Sequence, residues 1–208
     1  MRVLVACELS GVVREAFRAR GHDAWSCDLQ PAEDQSPFHW RGDVLELLED
    51  TRSDPEFWPP FDLMIAHPPC QYLSSSGLHW NRRRPSRILK TEAAIAFAVA
   101  LWNAPIQKVA LENPIGCLSK AIRKPDQIIQ PYDFGEDASK ATCLWLRGVP
   151  LLKPTHRIDG RMAANGKERW ANQTDSGQNR LGPSPTRAAD RARTYHGVAS
   201  AIAEQWGG

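Results

Sequence analysis

No stretch of this 208-residue sequence approaches the roughly 20 consecutive apolar residues that a bilayer-spanning helix requires. The opening segment MRVLVACELSG lacks the charged head, long apolar stretch and cleavage site of a secretion signal, so a cytoplasmic protein without a membrane partner is expected. Cysteine is sparse and poorly arranged for cross-linking: Cys7, Cys27, Cys70, Cys117 and Cys143 are odd in number, widely spaced and without a C-x-x-C pair. That pattern argues against a disulfide framework and against a zinc site, leaving free thiols and no metal. Internal repeats and low-complexity tracts are absent as well. What is there is ordinary for a globular chain: 42% of the residues are hydrophobic, enough for one domain over 1–208 with its own core, read here as a monomer.

The net charge of +2 is small because two opposed parts cancel. Residues 1–66 carry 6 basic and 13 acidic side chains, a net of −7, and the rest carry 20 basic and 11 acidic ones, a net of +9. A basic end of this kind suits a polyanionic partner.

Short apolar runs at 3–6, 23–27, 62–66 and 109–111 read as buried strands, because each stops abruptly at a turn or at polar residues. Between them, Val12, Val13, Ala16 and Phe17 mark a helix ending at Gly21, and 87–103 is an alanine-rich helix. At the far end, Val198, Ala201, Ile202 and Trp206 share one face of a helix over 195–206. Alternation of this kind predicts an α/β fold, a mainly parallel sheet flanked by helices, with ligands beyond the carboxyl ends of the strands. Residues 150–194 break the pattern and read as an irregular basic insertion rich in Gly, Pro, Ser, Asn and Arg.

Three strand ends carry the chemistry: Glu8-Leu9-Ser10-Gly11, Pro68-Pro69-Cys70-Gln71 and Glu112-Asn113-Pro114. In a parallel sheet they project into one crevice. A small-residue turn at Ser10-Gly11 lets a cofactor approach the backbone at a helix start, and Asp28 at the second strand end can accept hydrogen bonds from ribose hydroxyls. Cys70 differs from the other four cysteines, which read as small buried hydrophobes, because two prolines at a strand end present it to the crevice. Plain alternatives stand beside these readings: Glu112 as an acid at a helix start, Asp28 and Asp43 as solvated turn residues.

The run from Asp62 through His67-Pro68-Pro69-Cys70-Gln71 to Ser74, followed by Leu111-Glu112-Asn113-Pro114, resembles the Pro-Cys-Gln and Glu-Asn signatures of the cytosine-5 DNA methyltransferases. Residues 4–11 resemble that family's first cofactor motif, Gly42-Asp43-Val44 its Gly-Asp-hydrophobic motif, and Tyr195-His196-Gly197-Val198-Ala199 its closing motif. The likeness runs from end to end, weakest over about 150–190, and is nearest to short phage and prophage members. It implies a Rossmann-like fold, S-adenosylmethionine as cofactor and DNA as partner. Cys70 would be the nucleophile, Glu112 the residue that holds the base edge, and Lys140, in Ser139-Lys140-Ala141-Thr142, the substitute for the family's paired arginines. Cofactor contacts would fall to Cys7, Glu8, Ser10, Gly11, Asp28, Asp43, Pro68 and Val198.

Gln71, Ser74, Arg82, Arg83, Arg84, Arg180 and Arg193 are the expected nucleic-acid contacts, with Arg87, Lys90, Arg187 and Arg191 as further cations. Trp80 and Trp170 are candidates for stacking on a base, with packing as the alternative. The chain departs from the family in its reduced glycine motif and in having fewer than fifty residues between Pro150 and Tyr195 for target recognition. Cytosine-5 methylation of RNA or a free nucleotide therefore stays open, as does a catalytically weak nucleic-acid-binding protein. Methylation of an exocyclic amine fits less well, since His67-Pro68-Pro69-Cys70 has other residues at both ends than that chemistry uses.

Overall fold

The computed structural model describes residues 1–56, 59–184 and 186–208. The chain runs β1 (Arg2–Ala6), α1 (Val12–Arg18), β2 (Asp23–Asp28), β3 (His39–Arg41), α2 (Val44–Ser53) and β4 (Leu63–Ala66). Three helices follow, α3 (Ser75–Leu78), α4 (Trp80–Arg83) and α5 (Arg87–Trp102), and then β5 (Lys108–Pro114), α6 (Leu118–Ala121), β6 (Gln127–Ile129) and β7 (Thr142–Arg147). A two-stranded ribbon of β8 (Arg161–Met162) and β9 (Glu168–Arg169) precedes α7 (Arg187–Ala192) and α8 (His196–Trp206).

The main sheet has the order β3-β2-β1-β4-β5-β7-β6. Strands β3 to β5 in that order are parallel, and β7 runs antiparallel between β5 and β6. Alternate residues of each central strand enter different cores. Val3, Val5, Leu63, Ile65 and Leu144 pack under α1 and α8, whereas Leu4, Ala6, Met64, Leu111 and Trp145 pack under α2 and α5. Burial on both faces explains why these strands read as unbroken apolar runs rather than as alternating ones.

β3, α2, β6 and β7 are additions to what the sequence suggests. β3 is only His-Trp-Arg, and the exposed side of α2 is acidic enough to blur its pattern. Asp43 proves to be the N-cap of α2, its carboxylate accepting from Leu45 N at 2.9 Å. Within 150–194 the ribbon and α7 supply order where none is expected. That segment is anchored by Trp170, which lies flat on Tyr132 with 3.9 Å between ring centroids and donates from Nε1 to Ile158 O. Trp170 is buried, so its expected role in stacking on a base gives way to packing. Among the described residues no helix is long and apolar enough to cross a membrane.

Candidate active site

Register makes the site. Ala6 pairs with both Cys27 and Ala66, and Ala66 pairs with Leu111. The next residue on each strand, Cys7, Asp28, His67 and Glu112, therefore stands along one edge of the sheet. The strand order reverses between β1 and β4, the switch point where a crevice opens in doubly wound sheets.

On the β1 side, Cys7 adopts a left-handed backbone (φ 61°), uncommon for a residue with a side chain, and donates its N–H to Cys27 O at 2.7 Å. The sharp turn drives Glu8 under α1, where its carboxylate accepts from Val13 N (2.7 Å) and Arg14 N (3.2 Å). Burial pushes the Glu8 carboxyl up against the opposing pull of His67 and these amides. Glu8 is thus buried beneath α1, whereas Cys7 stays partly exposed. Burial first, and then the charges of Asp28, Cys27 and Asp43, raise the Cys7 thiol. The Asp28 side chain accepts from Gln30 N at 3.0 Å. The fully buried Arg14 guanidinium bonds Ser26 Oγ at 2.7 Å and pairs with Asp34, tying the loop after β2 to α1. A cavity of about 270 Å³ opens at the starts of α1 and α8, lined by Ser10, Gly11, Val12, Glu15, His196 and Ser200.

On the β4 and β5 side, Asn113 is buried and donates from Nδ2 to Pro68 O at 2.8 Å, fixing the prolines that present Cys70. The loop after Cys70 is stitched to the loop after β5 by Ser75 N to Ile115 O (3.0 Å) and Cys117 N to Leu73 O (2.9 Å). Gly116 sits at that seam, where a Cβ would lie 2.0 Å from Leu73 O. Gly116→Ala should therefore push the Cys70 loop off β5 at a cost of roughly 1–3 kcal/mol or more. Thermal unfolding is expected to fall by several degrees, with an altered alkylation rate at Cys70. An unchanged melting point and alkylation rate would count against this seam.

Glu112 meets His67 across 2.8 Å, Oε2 to Nδ1. A small cavity of about 20 Å³ is bounded by His67, Glu112, Lys140, Thr142, Tyr195 and Val198. Lys140 is brought there by backbone contacts: its N–H goes to Gln130 Oε1 (3.0 Å), and the neighbouring Ser139 exchanges two hydrogen bonds with the Asn172 side chain. Burial pushes the Glu112 carboxyl up, but the His67 hydrogen bond and the charge of Lys140 outweigh it and hold Glu112 below the usual carboxylate range. Burial and the Glu112 charge raise the Cys70 thiol, against the opposing pull of Lys140 and Arg191. The charge of Lys140 thus bears on both Cys70 and Glu112, and that of Glu112 on Cys70.

The expected nucleic-acid contacts divide. Arg82, Arg83 and Arg84 are exposed beside the Cys70 loop, the last two about 5.5 Å from the half-exposed Trp80 ring. Gln71 is exposed, but Ser74 is buried and bonded to Ser76 Oγ, which makes it a loop-packing residue. Arg87 lies over Tyr72 and donates to Gln71 O, bracing the same loop, while Lys90 is exposed. Arg180 turns back to Gln173 O and Arg193 pairs with Glu33, so both serve the local structure. Arg191 is exposed and its charge reaches Cys70. Sequence reasoning missed His67, Asn113 and Asn172. His67 was visible directly before the two prolines, whereas Asn172, distant in sequence, gave no signal.

No protein-family model and no curated protein matches the chain. Among solved structures it is similar to an E. coli prophage protein assigned as a DNA modification methyltransferase, at 14% identity and a TM-score of 0.50. The match covers 78% of this chain and 53% of that one, so the chain spans about half the length of its neighbour. At such identity the likeness is one of fold: this chain has the Rossmann-like α/β fold, a mainly parallel sheet flanked by helices, of that methyltransferase neighbour.

Proposed function

We propose that this chain is a DNA methyltransferase of the cytosine-5 type, with Cys70 as nucleophile, Glu112 at the base edge and Lys140 beside them. The observation that carries the reading is that Glu112 and Lys140 line one small cavity at the sheet edge where the loop carrying Cys70 leaves β4. S-adenosylmethionine, when bound, supplies an electrophilic methyl group on a sulfonium. Ser10, Gly11, His196 and Ser200 would hold its polar amino-acid end in the cavity at the starts of α1 and α8, and Asp28 at the end of β2 would take its ribose hydroxyls.

Carbon 5 of cytosine is a poor nucleophile, and addition of a thiolate to carbon 6 makes it enamine-like. In this reading Cys70 gives its thiol proton to solvent and the thiolate bonds carbon 6, while the displaced electron pair moves toward ring nitrogen 3, which takes up a proton from solvent. An ionised Glu112 opposite that nitrogen accepts from the exocyclic amine and favours the proton-bearing form of nitrogen 3. Lys140 offsets the negative charge of Glu112 and so favours the thiolate. After methylation the protons on nitrogen 3 and carbon 5 leave to solvent, the sulfur–carbon bond breaks with the thiolate departing, and the ring double bond re-forms. A duplex cytosine has to leave the stack to reach Cys70. Arg82, Arg83 and Arg84 meet phosphates, and the 150–194 segment borders the nucleic acid through its exposed cations.

The test is transfer of labelled methyl from S-adenosylmethionine to DNA, to RNA and to free deoxycytidine monophosphate in parallel. Label in DNA supports the reading, and label confined to RNA or nucleotide overturns the DNA part of it. For the phosphate contacts, replacing Arg82, Arg83 and Arg84 together by alanine should flatten the slope of log affinity against log salt by about 2–3 on duplex DNA. A slope that stays unchanged would remove these arginines from the interface.

A further inference from the structure

The His67 imidazole has a position that the reaction above does not use. It follows β4 directly, donates from Nδ1 to Glu112 Oε2 at 2.8 Å, and lines the small cavity shared with Lys140 and Thr142. Its other nitrogen, Nε2, is buried and has no hydrogen-bond partner. Charged and titratable groups face this pair from every neighbouring element: Glu8 after β1, Cys70 after β4, Lys140 before β7 and Tyr195 at the start of α8. A histidine whose one bonded nitrogen meets the carboxylate expected to grip the base is placed to decide what that carboxylate can recognise.

We propose, resting on the cytosine-5 reading above, that His67 is a positioning residue that sets the choice of pyrimidine by holding Glu112 as a carboxylate with Oε2 occupied. The carboxylate is then an acceptor and nothing else. It takes a hydrogen bond from the amine at position 4 of cytosine and meets the carbonyl oxygen at position 4 of uracil or thymine as lone pair against lone pair. A protonated carboxyl would instead donate to that carbonyl and blur the distinction. Discrimination by leaving a buried polar group wrongly paired is the strong kind. The depressed carboxyl of Glu112, for which the His67 hydrogen bond is the foremost counterweight to burial, is consistent with this geometry.

The experiment compares the full-length wild type with His67→Ala and His67→Asn, whose amide retains a donor, on matched oligonucleotides carrying cytosine or uracil at the target. Products are read as 5-methylcytosine and thymine. His67→Ala should lower the cytosine-to-uracil ratio of kcat/KM by about tenfold or more, the scale of one charge-assisted hydrogen bond, and His67→Asn should keep most of the ratio. In parallel, the carboxyl carbon-13 signal of Glu112 is titrated in wild type and His67→Ala; its midpoint should rise in the variant. An unchanged ratio in His67→Ala, or an unmoved Glu112 titration, overturns the proposal. If the wild type methylates neither base, the functional reading fails instead, and the carboxyl titration alone judges the role of His67 toward Glu112.

Discussion

Cys70→Ala should abolish methyl transfer, a loss on the order of 10⁴–10⁶-fold, the scale on which removal of a covalent nucleophile acts. The change is small and sits in a half-buried loop held by the Asn113 side chain and by the backbone N–H groups of Ser75 and Cys117, so the fold should survive it. DNA affinity should stay within about twofold, because the arginines proposed to meet phosphates lie outside the substitution. Circular dichroism and filter binding check those two points beside the activity assay. A Cys70→Ala protein that still methylates at a tenth of the wild-type rate would show that sulfur forms no bond to the base.

Glu112→Gln separates two effects that the geometry couples. Loss of the carboxylate removes the charge opposite the base edge and should lower kcat by about 10²–10⁴-fold, the range for a group acting on proton transfer in the transition state. The same loss removes the neighbouring anion that raises the Cys70 thiol. The Cys70 pKa then falls, a larger thiolate fraction is present at any pH below it, and the rate of reaction with iodoacetamide at pH 8 should rise several-fold. An enzyme that is slower in turnover and faster in alkylation is the expected signature. Slower alkylation of Cys70 in Glu112→Gln would mean that the carboxylate does not act on the thiol in the way the structure indicates.

How much of this was legible beforehand depended on which physical signal each element carries. β1, β2, β4 and β5 announce themselves because both faces of each strand are buried, so Val3–Ala6 and Leu63–Ala66 cannot afford a polar residue. β3 and β6 are three residues each at the sheet margins, too short for a period to show. α8 was visible from the spacing of Val198, Ala201, Ile202 and Trp206, all buried, with Tyr195 proving to be its N-cap. The chemistry-bearing strand ends were legible as residue types following apolar runs, which is why Cys70 and Glu112 were named. Their partners were not, because the His67–Glu112 bond spans 45 residues and the Asn172–Ser139 exchange spans 33. Charge alone does not name the partners of Arg180 and Arg193: each meets a carbonyl or a glutamate of its own chain while staying exposed.

The most direct test of the central claim is the identity of the modified nucleoside. Wild-type protein is incubated with S-adenosylmethionine and DNA, single- and double-stranded in separate reactions, and the DNA is digested and separated by liquid chromatography with mass detection. The account requires 5-methyldeoxycytidine as the product, absent when Cys70→Ala replaces the wild type. Appearance of N4-methyldeoxycytidine or N6-methyldeoxyadenosine instead would contradict it, since methylation of an exocyclic amine has no use for a thiolate at Cys70.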